Sequence, residues 1–253
     1  NFGVTSAWIL IPMAILVSTS AGFLNGTLLT RLDLPHPFVS TLGMKNVLWG
    51  VALLITSSRT IGFTNKGIDS TLWIGRATFD VNIFGLQLLK GFPVSFILVL
   101  VVYLIFHVFL NHTALGRQIY CVGGNPEAAR LSGIRSKDVL TVVYMISGLM
   151  AGIAGVVLAG RLNTANTASA ATYDTDAIAA CIIGGASFRG GKGTIWGTML
   201  GALLISTIRN GLNLFSAGND IQYIVIGSVI ILAVTIDVTR GKVEARARKL
   251  ATL

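Results

Sequence analysis

Long apolar runs alternate with short polar and basic segments along the whole chain. A helix needs about 20 mostly apolar residues to cross the hydrocarbon core of a bilayer, and several runs have that length or come close to it. These runs cover residues 8–30, 46–58, 93–110, 139–160, 194–208 and 221–236. Together with a shorter segment at 175–186, they predict an all-α, polytopic membrane helical bundle with about seven crossing segments.

Two stretches depart from the simple pattern of spanning helices. The sequence LPHP at 34–37 is expected to break any helix, which leaves residues 38–42 as a short half-helix ahead of the run at 46–58. Segment 175–186, TDAIAACIIGGA, is too short for an ordinary span, so we expect a broken or re-entrant helix there. Irregular backbone at membrane depth is tolerated only where it is buried in protein or lines a water-filled cavity. This segment is therefore predicted to lie on a path for solute through the bundle.

The candidate path residues are polar or small groups in and just before this short segment. They are Asn163, Asp174, Asp176, Ile178, Gly184 and Gly185. Two interpretations of Asp174 and Asp176 stay open. Acidic groups inside a membrane are costly and mark functional sites, but an acidic residue at a helix N-terminus also satisfies free N–H groups and the dipole. The preceding loop, RLNTANT at 161–167, is rich in neutral hydrogen-bonding groups and suits a sugar better than an ion.

The composition agrees with a membrane protein. Apolar residues make up 53% of the chain and charged residues 11%, whereas soluble domains carry roughly 25% charged residues. No block of domain size has a soluble composition, so residues 1–253 are predicted to form a single transmembrane domain. The sequence begins with Asn1 and enters an apolar run almost at once, and we expect further helices to precede it.

The distribution of basic residues predicts an orientation in the membrane. The net charge of +9 suits nucleic acid binding less well than loops that orient helices by the positive-inside rule. If the C-terminus is cytoplasmic, the inside regions are 31–45, 111–138, 187–193 and 237–253, and they hold most of the 19 Lys and Arg residues. The 59–92 loop is the exception, with four basic residues on the outside; it is either a docking segment for a soluble partner or a connector.

Catalytic, metal and nucleotide sites have no support in the sequence. The three histidines have no metal-ligand spacing, and the two cysteines lie in unrelated contexts. His107, in an apolar run, is either a proton relay or a packed histidine. The glycine-rich run 185–194, GASFRGGKGT, fails the phosphate-loop pattern at Ala186 and Gly193. Glycines four residues apart at 22/26, 148/152 and 197/201 predict close helix packing, within one subunit or across a dimer.

A short polar, basic helix is predicted between two apolar runs, within residues 123–139. Asn125 suits the N-cap, Pro126 the first helical position and Glu127 the positive end of the dipole. Gly133 suits the C-terminal end. The set predicted to contact a soluble partner is Asn125, Pro126, Glu127, Ala128, Arg130, Leu131, Gly133 and Ile134. A helix lying on anionic lipid is the alternative.

These segments resemble the permease subunits of bacterial monosaccharide ABC importers of the ribose/xylose/galactose type. The similar stretches span most of the chain in the expected order and are weakest at 59–92. They are AGFLNGTLLTRLDLPHPFVSTLGM (21–44), TALGRQIYCVGGNPEAARLSGI (113–134), YDTDAIAACIIGGASFRGGKGTIWGTMLGALLI (173–205) and NGLNLF (210–215).

The resemblance implies a multi-pass protein of the bacterial inner membrane that is not itself an enzyme. It implies three protein partners: an ABC ATPase subunit, which would use the ATP, a second permease copy and a periplasmic sugar-binding protein. It also implies that 125–134 is the coupling helix within a cytoplasmic loop at 111–138, and that this chain binds no cofactor. A secondary transporter or channel for a small polar solute is the alternative function.

Overall fold

The computed structural model describes residues 7–32, 37–63, 75–83, 86–188 and 190–251, and helices dominate this part of the chain. In chain order the helices are α1 (Ala7–Arg31), α2 (Pro37–Thr56), α3 (Val94–His112), α4 (Ala114–Gly124), α5 (Pro126–Leu131), α6 (Ser136–Leu162), α7 (Tyr173–Ile183), α8 (Ile195–Leu214) and α9 (Asn219–Ala251). The strands are β1 (Ile61–Gly62), β2 (Thr78–Ile83), β3 (Leu86–Pro93) and β4 (Thr164–Ala165). The predicted all-α membrane bundle is confirmed.

Five helices of the described chain are long and apolar enough to cross a membrane. They are Ile9–Arg31 in α1, Pro37–Thr56, Val94–His112, Ser136–Leu162 and Asn219–Thr239 in α9. The other two predicted segments correspond to α8, with 20 residues, and α7, with only 11 residues. At 1.5 Å per residue α7 is about 16 Å long, roughly half the thickness of a bilayer core. It is the short helix that the sequence predicts at 175–186.

The region around the first proline cluster differs from the prediction. The expected half-helix at 38–42 is wrong, because residues 37–56 form one continuous helix, α2. Pro37 is the first residue of that helix, where a proline lacks no needed hydrogen bond and its φ is already helical. The rest of the cluster, 33–36, lies outside the described residues.

The 59–92 loop contains strands that the sequence analysis does not anticipate. β2 pairs with β3 in an antiparallel hairpin, and β3 runs directly into α3. β1 pairs with the distant β4, with Ile61 opposite Ala165. Residues 64–74 of this loop lie outside the described part.

The chain divides into two compact units, and unit 1 comprises Asn1–Val102 and Arg135–Ser169. Its main feature is the packing of α1 along α6. A Cβ atom built on Gly148 would lie 3.0 Å from the Cα of Gly22, and one built on Gly26 would lie 3.1 Å from the Cα of Thr141. The two helices thus approach backbone to backbone, and the predicted glycine spacing serves packing within one subunit.

Polar side chains add contacts to this unit. The hydroxyls of Thr30 and Thr141 lie 3.0 Å apart across the α1–α6 contact. Ser40 on α2 donates to Asn25 Oδ1 on α1 over 2.8 Å. Since a bilayer offers no competing water, hydrogen bonds between helices help to fix their register.

Unit 2 comprises Tyr103–Ile134 and Ala170–Leu253, and α7 packs along α8 in it. A Cβ atom on Gly184, just past the end of α7, would lie 2.6 Å from the N atom of Thr198 on α8. One on Gly201 would lie 2.9 Å from the carbonyl carbon of Ala180. The spacing of Gly197 and Gly201 therefore also serves packing within the chain.

The loops predicted to share one side of the membrane lie together within each unit. In unit 2, Gly123 of the 111–138 region contacts Gly191, and Phe188 N donates to Asp237 Oδ2 over 3.4 Å at the start of the 237–253 region. In unit 1, Arg31 and Asp138 form an ion pair of 3.6 Å between the 31–45 and 111–138 regions. These contacts agree with the predicted grouping of the loops, and the orientation in the membrane stays a prediction.

We expect Gly148→Ala to destabilise unit 1, because the added methyl group would meet the backbone of α1 at Ser18 and Gly22. Overpacking of this kind costs about 1–3 kcal/mol. Gly155→Ala is the matched control on the same helix, since no atom lies within 4 Å of its built Cβ. Thermal unfolding in detergent would measure both, and equal unfolding temperatures for the two variants would contradict the packing described here.

Candidate functional site: the capped helix α5 and the short helix α7

Helix α5 is a separate, capped helix between α4 and α6. Asn125 is its N-cap, and Asn125 Oδ1 accepts hydrogen bonds from the N–H groups of Glu127 and Ala128 at 3.1 and 3.0 Å. Pro126 occupies the first position and Glu127 the first turn, where a negative charge is favoured by the helix dipole. The predicted start of this helix agrees with the structure.

The C-terminal end of α5 is a Schellman motif. Gly133 N donates to Arg130 O and Ile134 N donates to Ala129 O, both over 3.0 Å. Gly133 has φ of +83°, a left-handed conformation that closes this motif and that a residue with a Cβ rarely adopts. Both ends of the helix are therefore fixed by the local sequence, although it has only six residues.

The surface of α5 is open. Only Ala129 is buried, at 4% exposure, while Leu131 is 80% exposed. Pro126, Glu127, Ala128 and Arg130 are exposed as well, and Ile134 is half-buried. The helix thus presents one projecting leucine beside basic groups, and every predicted partner-contacting residue lies in this short stretch.

Just before α5, two pairs of glycines are in contact. They are Gly123–Gly124 at the end of α4 and Gly190–Gly191 in the turn between α7 and α8. Beside this contact, Tyr120 Oη donates a hydrogen bond to Gly193 O over 2.9 Å. The glycine-rich run that fails as a phosphate loop is thus a packing element. Tyr120 was not predicted, because nothing in the sequence indicates that residues so far apart meet.

On α7 the structure reveals an ion pair with α8 that the sequence did not predict. Arg209 Nη2 donates to both carboxylate oxygens of Asp176, at 2.8 and 2.7 Å, and lies 3.4 Å from the hydroxyl of Thr172. The side chains are mostly buried, at 17% exposure for Asp176 and 29% for Arg209. Asp176 therefore neutralises a basic group of another helix, and the N-cap position is held by Thr172. Arg209 is four turns into an apolar helix, which is the signal that could have identified it.

The predicted path residues divide between two faces of α7 and a separate loop. Asp176 and Gly184 lie on the face that packs on α8. Asp174 and Ile178 are exposed on another face of α7, and Gly185, with φ of +87°, follows its end. Asn163 belongs to unit 1, where it ends α6 in the left-handed conformation and accepts from Phe63 N at 3.2 Å. The assignment of these residues to a solute path stays a prediction.

His107 has two neighbours in unit 2. Its ring centroid is 5.8 Å from that of Trp196, and its Nδ1 is 3.0 Å from Asn111 Nδ2. These contacts favour a packed histidine over a proton relay. Among the described residues no group of three or more His, Cys, Asp or Glu side chains could hold a metal ion.

Comparison with known proteins identifies the family. A family model described as the permease component of a branched-chain amino acid transport system matches residues 1–234. The chain belongs to this permease family. It is similar to the ribose import permease protein RbsC of Bacillus subtilis, with 37% identity over 84% of this chain and 62% of the relative. It is also similar to the D-allose transport system permease protein AlsC of Escherichia coli, with 40% identity over 88% of this chain and 64% of the relative.

The chain spans somewhat less than two thirds of the length of these two relatives. The fructose import permease protein FrcC of Rhizobium meliloti is a further relative, with 34% identity over 90% of this chain and 62% of its own length. The names of these relatives confirm the resemblance to sugar importer permeases, whereas the family description is broader. No solved structure matches the chain.

We expect Asp176→Asn and Arg209→Gln each to destabilise unit 2, because each leaves a partly buried charge without its partner. The double variant should lose less stability than the sum of the two, with a coupling energy of about 0.5–3 kcal/mol. The free energies of unfolding of the wild-type protein, the two single variants and the double variant, measured in detergent, give this coupling energy. Strict additivity would show that the ion pair contributes nothing to the packing of α7 on α8.

Proposed function

We propose that this chain is the membrane-spanning permease subunit of an ATP-driven monosaccharide importer. In this proposal it forms part of the translocation path and is coupled through residues 125–134 to a separate ATPase subunit, which uses the ATP. The observation that carries the proposal is the projecting helix α5, capped at both ends, in a family of transport permeases. In this proposal the chain supplies no catalytic group and binds no cofactor.

The shape of α5 favours a protein groove over a lipid surface. Helices that lie in the membrane interface have a large continuous apolar face opposite a basic one. α5 has six residues, and its only large apolar side chain is Leu131. A single exposed leucine between Arg130 and Arg135 gives little apolar area for lipid, but it suits a pocket with an acidic rim.

The same arrangement sets the proposed orientation and partners. We place the C-terminus and the 111–138 loop in the cytoplasm of a bacterial cell, and the protein in its inner membrane, since the basic residues cluster in the regions that lie together in each unit. A second permease copy and a periplasmic sugar-binding protein complete the proposed assembly. Membrane lipid surrounds the spanning helices in this proposal.

A neutral monosaccharide suits the polar groups on the side of the membrane that we place outside the cytoplasm. The 163–168 segment carries amides and hydroxyls, and Asn166 Oδ1 already orders the turn by accepting from Ala168 N over 2.9 Å. Ribose, allose and fructose appear in the names of the relatives. On α7, the exposed face with Asp174 and Ile178 is our candidate for contact with the path. The face with Asp176 holds the helix against α8.

We expect Leu131→Glu and Arg130→Glu to abolish association with the ATPase subunit and uptake of sugar, with normal insertion in the membrane. Each substitution places a negative charge on the exposed surface of α5, where an acidic partner surface would repel it. Co-purification of the ATPase and uptake of labelled D-ribose, D-allose and D-fructose by cells would measure the two effects.

Leu214→Glu is the matched control for this experiment. Leu214 is 80% exposed, as Leu131 is, but it lies at the C-terminal end of α8, away from the 187–193 turn that precedes this helix. Co-purification should remain at the wild-type level in this variant. Normal uptake by the Leu131 and Arg130 variants would refute the proposed coupling helix.

A further inference from the structure

The turn between α7 and α8 is a compact, self-bonded unit. Ser187 N donates to Lys192 O and Gly190 N donates to Ser187 O, each over 3.0 Å. Gly191 has φ of +72°, so the turn depends on a conformation that residues with a Cβ rarely adopt. These two hydrogen bonds join the described residues of the turn to one another.

This turn lies against the end of α4 with no side chain between them. A Cβ atom on Gly123 would be 2.7 Å from Gly191 N, and one on Gly191 would be 2.6 Å from the Cα of Gly124. A Cβ atom on Gly190 would be 2.6 Å from Gly123 O. A real Cβ atom could not come this close to another atom, so there is no room for a side chain here and the two backbones are in direct contact.

Each side of this contact connects directly to a helix of the proposed function. The end of α4 connects to α5, and the turn connects to α7. Asn125 N donates to Cys121 O over 3.0 Å and ends α4, and the side chain of the same Asn125 begins α5. On the other side, Ala186 N donates to Cys181 O over 2.9 Å, so a backbone hydrogen bond ties the start of the turn to α7.

We propose that the contact of Gly123 with Gly190–Gly191 is the transmission junction of this permease. It carries displacement of the 125–134 helix to the short helix α7, which lies on our candidate path. A contact between side chains can absorb a small movement by a change of rotamer, whereas a contact between two hydrogen-bonded backbone segments has no side-chain rotamer that can give way and transmits it. This inference rests on the proposed function, since it needs α5 to be moved by a partner.

Two adjacent glycines allow a matched test. Gly123→Ala places a methyl group against Gly191, whereas the built Cβ of Gly124 has only the Cα of Gly191 near it, at 4.0 Å, an ordinary contact. Both glycines lie in the last turn of α4, so the change in helix propensity is the same. Tyr120→Phe is a third variant, which keeps the ring and removes only the hydrogen bond to Gly193 O.

The readout is sugar transported per ATP hydrolysed by the assembled permease, ATPase and sugar-binding protein in proteoliposomes, with D-ribose, D-allose and D-fructose as probes. For Gly123→Ala we expect the ATPase to co-purify normally while the ratio of sugar to ATP falls about tenfold. A tenfold change is what the usual cost of overpacking by one methyl group corresponds to. Gly124→Ala should keep the wild-type ratio. Tyr120→Phe should lower it about fivefold, as expected for one ordinary hydrogen bond.

The outcomes separate the two proposals. If Leu131→Glu leaves ATPase co-purification intact, the proposed function fails, whatever the glycine variants do. If Leu131→Glu abolishes it but Gly123→Ala keeps the wild-type ratio, only the transmission junction is refuted. If Gly123→Ala does not fold, Tyr120→Phe decides, and an unchanged ratio in that variant overturns the junction.

Discussion

Direct contact between backbones at glycine is the interaction on which the rest of this structure depends. In unit 1 it joins α1 to α6, and in unit 2 it joins α7 to α8 and α4 to the turn at 187–193. Lipid tails are as apolar as leucine, so burial of apolar side chains gives membrane helices little reason to associate. Close approach supplies dispersion contacts over the length of the helices instead, and only residues without a Cβ permit it.

Polar contacts act within the frame that this packing sets. The hydrogen bond between Thr30 and Thr141 and the ion pair of Asp176 with Arg209 both lie between helices that glycines bring together. An ion pair away from water recovers the cost of desolvation only with good geometry and satisfied donors. Arg209 Nη2 makes both short bonds to Asp176, while Arg209 Nε is buried without a hydrogen-bond partner in the described structure. The pair links α7 to α8, but it recovers only part of that cost.

The spanning helices and the caps of α5 could be predicted from the sequence, because both depend on local patterns. A run of apolar residues defines a span, and Asn125, Pro126 and Gly133 define ends through bonds to neighbouring residues. The predicted half-helix at 38–42 was wrong for a related reason: the pattern does not say whether a helix that begins at Pro37 ends early or continues to Thr56. Partners distant in sequence, such as Arg209 for Asp176 or Gly193 for Tyr120, leave no local trace. The β2–β3 hairpin was missed because short strands give weaker patterns than long apolar helices.

The contact between Gly123 and Gly191 also limits how this region can change over generations. A clash between two side chains can be relieved by a smaller residue on either side, so such pairs drift together through compensating substitutions. Glycine is already the smallest residue, and no replacement at one position makes room for a Cβ at the other. Each glycine of this contact is therefore held independently by the backbone that it faces.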